Sequence, residues 1–153
     1  MTRHFRAMVF AVAGGAFISV CPAHAIELTP GTWQETETGT ENGKPVPATT
    51  DTSCMTPEEA KDPLKGLSPE KDLKEMKGQC KTYDVKQSAN SLSMRLQCGD
   101  PKQFAMNISV DYTFANARSY SGTVKSAVTI MGKTTTTDKK VEGKWVAAAC
   151  KKK

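Results

Sequence analysis

Residues 104–130 read FAMNISVDYTFANARSYSGTVKSAVTI, and this stretch decides the fold class. Apolar and polar side chains alternate along it with a period of two, with an interruption around Asn116. Such alternation is typical of antiparallel strands that have one buried and one solvated face. The apolar positions are Phe104, Met106, Ile108, Val110, Tyr112 and Phe114, and then Tyr120, Gly122, Val124, Val128 and Ile130.

The same alternation continues on both sides of this stretch, over residues 81–98 and 133–145. Turn sequences separate the strands at Ala89-Asn90, Gly99-Asp100-Pro101, Asn116 and Met131-Gly132. A slip of one residue would exchange the two faces of a strand, so each turn can be tested against the alternation. The turns place apolar residues opposite each other, which predicts an antiparallel meander: Val85 with Met94, Tyr83 with Leu96, Leu96 with Met106, Tyr112 with Tyr120, and Gly122 with Val141.

The segment before the meander adds a hairpin and two helices. Residues 32–40 and 46–53 form the hairpin around Asn42-Gly43, and its prolines suggest an edge position. Thr56-Pro57-Glu58-Glu59 is a capping box that starts one helix. Ser68-Pro69-Glu70-Lys71 starts a second helix, which ends at Gly78. We therefore predict a mainly β fold, a curved antiparallel meander or partial barrel of six to seven strands, with two short helices covering one end.

The first 25 residues have the three parts of a secretory signal peptide. Arg3, His4 and Arg6 form the positive region, an apolar run covers residues 7–20, and Ala23-His24-Ala25 provides the cleavage pattern. The apolar run is shorter than the roughly 20 residues that a membrane span requires. We expect cleavage after Ala25, a periplasmic location, and a single exported β-rich domain over residues 26–153.

Cleavage would leave four cysteines, which we expect to form two disulfides because exported chains reach oxidising compartments. Cys80 and Cys98 have opposite parity across their hairpin, so a bridge between them would require a bulge. We therefore favour the pairs Cys54–Cys80 and Cys98–Cys150, although the residues leave all three pairings open. The spacings do not fit a local four-cysteine zinc site, which needs closely paired cysteines.

Cleavage would also remove both histidines of the chain, His4 and His24. Ser-His-Asp and Cys-His catalysis both need an imidazole base, and most zinc and copper sites need imidazole ligands. We therefore expect no catalytic residues, no cofactor and no metal site.

Two weaker chemistries rest on particular residues. Glu35 and Glu37 share a strand face about 7 Å apart, which is the range of an inverting glycosidase, but solvated glutamates on an edge strand are the favoured interpretation. Met94 and Met106 should be diagonal neighbours that could bind Cu(I), although methionine on an apolar face usually fills the core.

Several strings in a fixed order resemble domain-of-unknown-function family 3617, a family of small exported proteobacterial proteins. They are Pro30-Gly31-Thr32-Trp33, Cys54-Met55-Thr56-Pro57-Glu58-Glu59, Tyr120-Ser121-Gly122-Thr123 and the final Cys150. The chain departs from the family pattern at Gln34 and in the absence of arginines from residues 141–149. The resemblance implies a periplasmic β domain, with no established activity and no catalytic residues.

We expect a non-enzymatic binding or interaction module. In one version, the concave sheet face holds a small apolar molecule; in the other, the protein is an inhibitor or partner of a secreted hydrolase. The net charge of +5 is spread among acidic residues, so we predict no nucleic-acid partner. The possible ligand face consists of Leu92, Met94, Phe104, Met106, Ile108, Tyr120 and Val124.

Overall fold

The computed structural model describes residues 26–69, 73, 80–100 and 104–150, so the predicted signal peptide lies outside the described residues. In these residues, seven strands form one antiparallel sheet with the order β2-β1-β7-β6-β5-β4-β3. The strands are β1 (Gly31–Glu41), β2 (Lys44–Met55), β3 (Cys80–Gln87), β4 (Ser91–Asp100), β5 (Phe104–Asn116), β6 (Ser119–Ile130) and β7 (Lys133–Ala147). The predicted mainly β meander is confirmed as an open sheet whose edges are β2 and β3.

One face of the sheet, here called the inner face, is buried, and the opposite, outer face is polar. Trp33, Leu92, Met94 and Val110 have no exposed surface, and they lie on the inner face of three different strands, β1, β4 and β5. The period-two alternation is therefore the origin of the core. The other inner-face core residues are Leu96, Cys98, Ile108, Tyr112, Phe114, Tyr120 and Val141.

The N-terminal segment and two short helices cover the inner face at one end of the sheet. The amide of Leu28 donates to the carbonyl of Ala60 at 2.8 Å, and the amide of Thr29 donates to Ala117, in the β5–β6 turn, at 2.7 Å. Leu28, Ala60, Met55 and Leu67 belong to the same core cluster as the strands.

The helices are α1 (Pro57–Lys61) and α2 (Pro63–Leu67). The predicted capping box is present, since the amide of Glu59 donates to Thr56 Oγ1 at 3.2 Å and the amide of Thr56 donates to Glu59 Oε2 at 2.8 Å. Helix α2 begins at Asp62-Pro63, a second cap that the sequence reasoning passed over. The helix predicted from Ser68 to Gly78 lies almost entirely outside the described residues. Neither α1 nor α2 is long or apolar enough to cross a membrane.

The turns show where the predicted register was right. Asn42-Gly43 joins β1 to β2, and Met131-Gly132 joins β6 to β7 with Gly122 opposite Val141, as predicted. At the β4–β5 and β5–β6 turns the predicted pairs were wrong by two residues, because the strands continue further than expected. Leu96 pairs with Ile108, and Tyr112 pairs with Gly122. A shift of two residues preserves the faces, so the core prediction survives.

A bulge changes the pairing of β3 with β4. Near the turn, Gln87 pairs with Leu92, which agrees with the predicted register, but the register shifts between Tyr83 and Lys86. Asp84 has a φ of 49° inside this irregularity. The predicted pair of Tyr83 with Leu96 is therefore wrong, since Tyr83 lies opposite Arg95.

The disulfides join Cys54 to Cys150 and Cys80 to Cys98, so the favoured pairing was wrong. The bulge brings Cys80 directly opposite Cys98, with their Cα atoms 4.0 Å apart. The other bridge follows from the position of β1 between β2 and β7. Thr32 pairs with Cys54 in β2, and its Oγ1 donates to the carbonyl of Ala149 at 2.7 Å, which brings Cys150 near Cys54.

Peptide mapping without reduction should recover Cys54 joined to Cys150. Replacing both residues with serine should lower the free energy of unfolding by about 4 to 5 kcal/mol, because the bridge closes a long loop. Both side chains are exposed, so urea denaturation of this variant measures the release of the loop rather than a lost core contact. Recovery of a peptide that joins Cys54 to Cys80 would contradict this structure.

Candidate functional site

Two tyrosines lie across neighbouring glycines on the inner face. Tyr120 in β6 pairs with Gly143 in β7, and a Cβ on Gly143 would overlap the Tyr120 ring. Tyr112 in β5 pairs with Gly122 in β6 in the same manner. Glycine is required at these positions because the rings occupy the space of a side chain. The two rings also contact each other, with centroids 5.2 Å apart.

The Tyr120 ring extends over β7 towards Glu35 of β1, since Gly143 also pairs with Glu35. Burial is the main cause that raises the pKa of the Tyr120 hydroxyl, and the nearby Glu35, Tyr112 and Glu37 raise it further. The hydroxyl is therefore neutral at physiological pH.

Glu35 and Glu37 share a strand face, as predicted; it is the inner face of the sheet, and both residues are half-buried. Glu37 forms a salt bridge with Lys139, and Ser53 Oγ donates to Glu35 Oε1 at 3.5 Å. The interpretation of these glutamates as solvated residues of an edge strand was wrong, because β1 lies between β2 and β7. Sequence reasoning missed Lys139, although its parity with Val141 places it on the apolar face.

The geometry gives little support to a glycosidase pair. Glycosidases place their two carboxyl groups on either side of the scissile bond. Here both carboxylates extend side by side from one strand, and the Glu37 charge is neutralised by Lys139. The cluster can hold a polar group on the inner face, but it does not enclose a bond between two carboxylates.

The seven residues predicted as a ligand face divide into two groups. Leu92 and Met94 have no exposed surface, and Ile108 and Tyr120 are also buried, so these four are core residues. The remaining three are half-buried, and Val128 continues their row through its pairing with Met106. This second group, here called the apolar strip, consists of Phe104, Met106, Val124 and Val128.

The structure does not bring together Met94 and Met106, the two candidate ligands for Cu(I). Met94 lies opposite Val110, whereas Met106 lies opposite Cys98, four residues further along β4. The prediction of diagonal neighbours was wrong because it used the β4–β5 register that is shifted by two residues. No group of three or more His, Cys, Asp or Glu side chains able to hold a metal ion occurs among the described residues.

The outer face carries a shallow, open depression of about 370 Å³. A salt bridge between Lys125 and Asp138, with a distance of 3.3 Å, lies in it. Apart from this ion pair, its lining residues are uncharged, and most of them carry hydroxyl or amide groups. The remaining lining residues are Thr40, Asn107, Ser109, Ser126, Ala127, Thr136 and Thr137.

Comparison with known proteins gives one family match. The family model described as "Protein of unknown function (DUF3617)" matches residues 28–150. No curated protein and no solved structure matches the chain.

Gly143→Ala should destabilise the protein by about 1 to 3 kcal/mol, because the added methyl group overlaps the Tyr120 ring. Urea denaturation measures this loss. The matched control repeats the substitution in a Tyr120→Leu background, where the loss should become smaller because the ring is gone. Equal losses in both backgrounds would contradict the contact.

The raised Tyr120 pKa predicts a loss of stability at alkaline pH. The ordinary pKa of 10.0 applies to the unfolded state, and the pKa in the folded state is higher. The free energy of unfolding is therefore unaffected below about pH 10 and falls as the pH rises above 10. Unfolding free energies measured by urea denaturation between about pH 9 and pH 11.5 should fall less steeply for Tyr120→Phe than for the wild type. Tyr83→Phe is the control, since Tyr83 is 42% exposed, and its profile should follow the wild type.

Proposed function

The chain belongs to the DUF3617 family of proteins of unknown function, and from this starting point we propose that it is an exported, non-enzymatic module that binds a small apolar molecule on the inner face of its sheet. The observation that carries the proposal is the apolar strip. Its four side chains are apolar and only half-buried by the protein itself; Phe104, Met106 and Val128 are neighbours, and Val124 lies beyond Ser126 on the same face of β6.

The position of the apolar strip supports a role in binding. Met106 and Val124 pack against the core cluster, so a bound molecule would rest on a rigid surface. The cover at the other end of the sheet, near Ala117, comes from the N-terminal segment and the helices. Completing the burial of four half-buried side chains favours dissociation constants of roughly a millimolar to a micromolar.

The inner face also supplies polar groups next to the apolar strip. Val124 pairs with Lys139 in β7. Val128, which pairs with Met106 on one side, pairs with Thr135 of β7 on the other. A bound molecule would therefore have an apolar body over β5 and β6 and access to hydroxyl groups over β7. This combination of an apolar surface and a few polar groups is usual in small-molecule sites.

Export and the absence of enzymatic activity complete the proposal. Two disulfides are typical of proteins in oxidising compartments, which supports a periplasmic location. The only histidines of the chain are in residues 1–25, and the four cysteines after residue 25 are all in disulfides. The residues that usually serve as base or thiol nucleophile are thus missing from the exported domain.

A protein partner is a second candidate function, favoured by the exposed edge of β2. Among the strands that the structure describes, β2 pairs only with β1, and nearly all of its residues are exposed. An extended segment of a partner such as a secreted hydrolase could add to this edge by strand pairing. Such pairing would leave the apolar strip free, so a complex that still binds an apolar dye would favour this second function.

The test is binding of the neutral, apolar dye 1-N-phenylnaphthylamine, followed by its fluorescence, together with native mass spectrometry of the exported protein. We expect dye binding that Val128→Thr weakens by about tenfold, because a hydroxyl group replaces a methyl group in the contact. Val146→Thr makes the same chemical change at an exposed position on the outer face, and it should bind the dye like the wild type.

Native mass spectrometry should also show a small co-purifying mass. A protein without such a mass that also fails to bind the dye would overturn the proposal. Equal dye binding by the wild type and Val128→Thr would show that the apolar strip is not the site.

A further inference from the structure

Two turns of this sheet have the same backbone geometry and the same glycine at the second position, but they differ in the first residue. At Asn42-Gly43 the φ angles are 48° and 78°, and at Met131-Gly132 they are 48° and 79°. Asparagine is favoured at this left-handed position, because its short polar side chain tolerates it. Methionine is not, so Met131 occupies a backbone conformation that its side chain disfavours.

The side chains at the second turn are also unusually exposed. Met131 is 93% exposed and Ile130 is 53% exposed. A Cβ built on Gly132 would contact nothing within 4 Å, so the turn projects away from the rest of the protein. An apolar side chain at a strained, projecting position points to a binding role, since Met131 contributes almost no packing to the fold.

The charge at this turn is positive. Lys133 follows the glycine directly, is exposed, and has no salt bridge within the described part of the chain. At the neighbouring turn Lys44 lies opposite Glu41, so its charge is partly offset. The two turns lie at the same end of the sheet, since the amide of Asn42 donates to the carbonyl of Thr136 at 2.8 Å.

We propose that the tip of the β6–β7 hairpin, formed by Ile130, Met131 and Lys133, inserts into the interface of an anionic membrane and holds the protein there peripherally. The projecting shape favours a bilayer as the occupant. The interfacial region accepts apolar side chains without directional partners, while a lysine beside them reaches the anionic headgroups. An apolar site on a partner protein would instead need a cavity shaped to receive the tip.

This inference goes beyond the apolar-molecule function and is independent of it. The two surfaces are nevertheless continuous, since Phe104, the first residue of the apolar strip, pairs with Ile130 of the tip. Docking of the tip would therefore place one end of the apolar strip beside the bilayer. An apolar molecule could then pass between membrane and protein with little exposure to water.

The test is co-sedimentation of the purified exported protein with vesicles of phosphatidylcholine, with and without phosphatidylglycerol. We expect weak binding to phosphatidylcholine alone and stronger binding to the vesicles that contain phosphatidylglycerol. Met131→Asn should decrease the binding by about tenfold, because it removes the apolar contact. Asparagine suits this turn, as it does at Asn42, so Met131→Asn should fold at least as well as the wild type.

Two further variants separate the contributions of the tip. Ile130→Thr keeps a β-branched residue in the strand and should weaken binding to both kinds of vesicle. Lys133→Gln should weaken binding only when phosphatidylglycerol is present, by about fivefold, and added salt should reduce this difference. Lys144→Gln, an exposed lysine of β7 far from the tip, is the matched control and should bind like the wild type.

Vesicle binding that is absent in the wild type, or unchanged in Met131→Asn, would overturn this inference. The dye measurement distinguishes its failure from failure of the proposed function. Dye binding without vesicle binding would support the apolar strip as a binding site and overturn the membrane-binding role of the tip. Vesicle binding without dye binding would support the role of the tip and overturn the apolar strip as a binding site.

Discussion

A single buried face on an open sheet is the constraint on which the rest of this structure depends. Strands β4, β5 and β6 each have one apolar side, and since the described residues contain no second sheet, that side must be covered by other parts of the chain. Leu28, Ala60 and Leu67 provide this cover at one end. At the other end the inner face of β5 and β6 is only half-buried, and the surfaces with the best claim to a function are found there. The end of the sheet that the N-terminal segment and the helices cover is thus distinct from the end that is the candidate binding surface.

The inner face also carries charges, and the tyrosines explain how it accommodates them. Tyr120 lies over Gly143, with its hydroxyl beside Glu35, while Glu37 is neutralised by Lys139. These contacts give the carboxylates partners at the boundary of the core, where an unpaired charge would be costly. The pair of glutamates that suggests hydrolysis in the sequence is therefore better understood as part of this boundary. Its chemistry is that of a polar rim beside an apolar surface.

The binding end combines two features that fit one physical role. The apolar strip provides a surface for an apolar molecule, and the tip of the β6–β7 hairpin provides apolar contacts next to a lysine. Because Phe104 pairs with Ile130, the two surfaces meet at the end of β5 and β6. A protein that rests on a membrane by this tip would shield an apolar molecule from water as it leaves or enters the bilayer. Neither feature requires catalysis. The four cysteines after residue 25 are all in disulfides, and histidine occurs only in residues 1–25.

The parts of the structure that could be predicted from the sequence are those that depend on neighbouring residues. Alternation assigned nearly every core residue to its face, and local signals identified the Asn42-Gly43 turn and the Thr56 cap. Even the two-residue error in the pairing of Leu96 left the faces correct, because side chains repeat with a period of two. The disulfides, the apolar strip and the rows of tyrosine over glycine could not be predicted in this way. They depend on the bulge at Asp84, on the insertion of β1 between β2 and β7, and on which end of the inner face the helices cover. Those features are settled by contacts between residues far apart in the chain, and a pattern of adjacent residues carries no information about such distances.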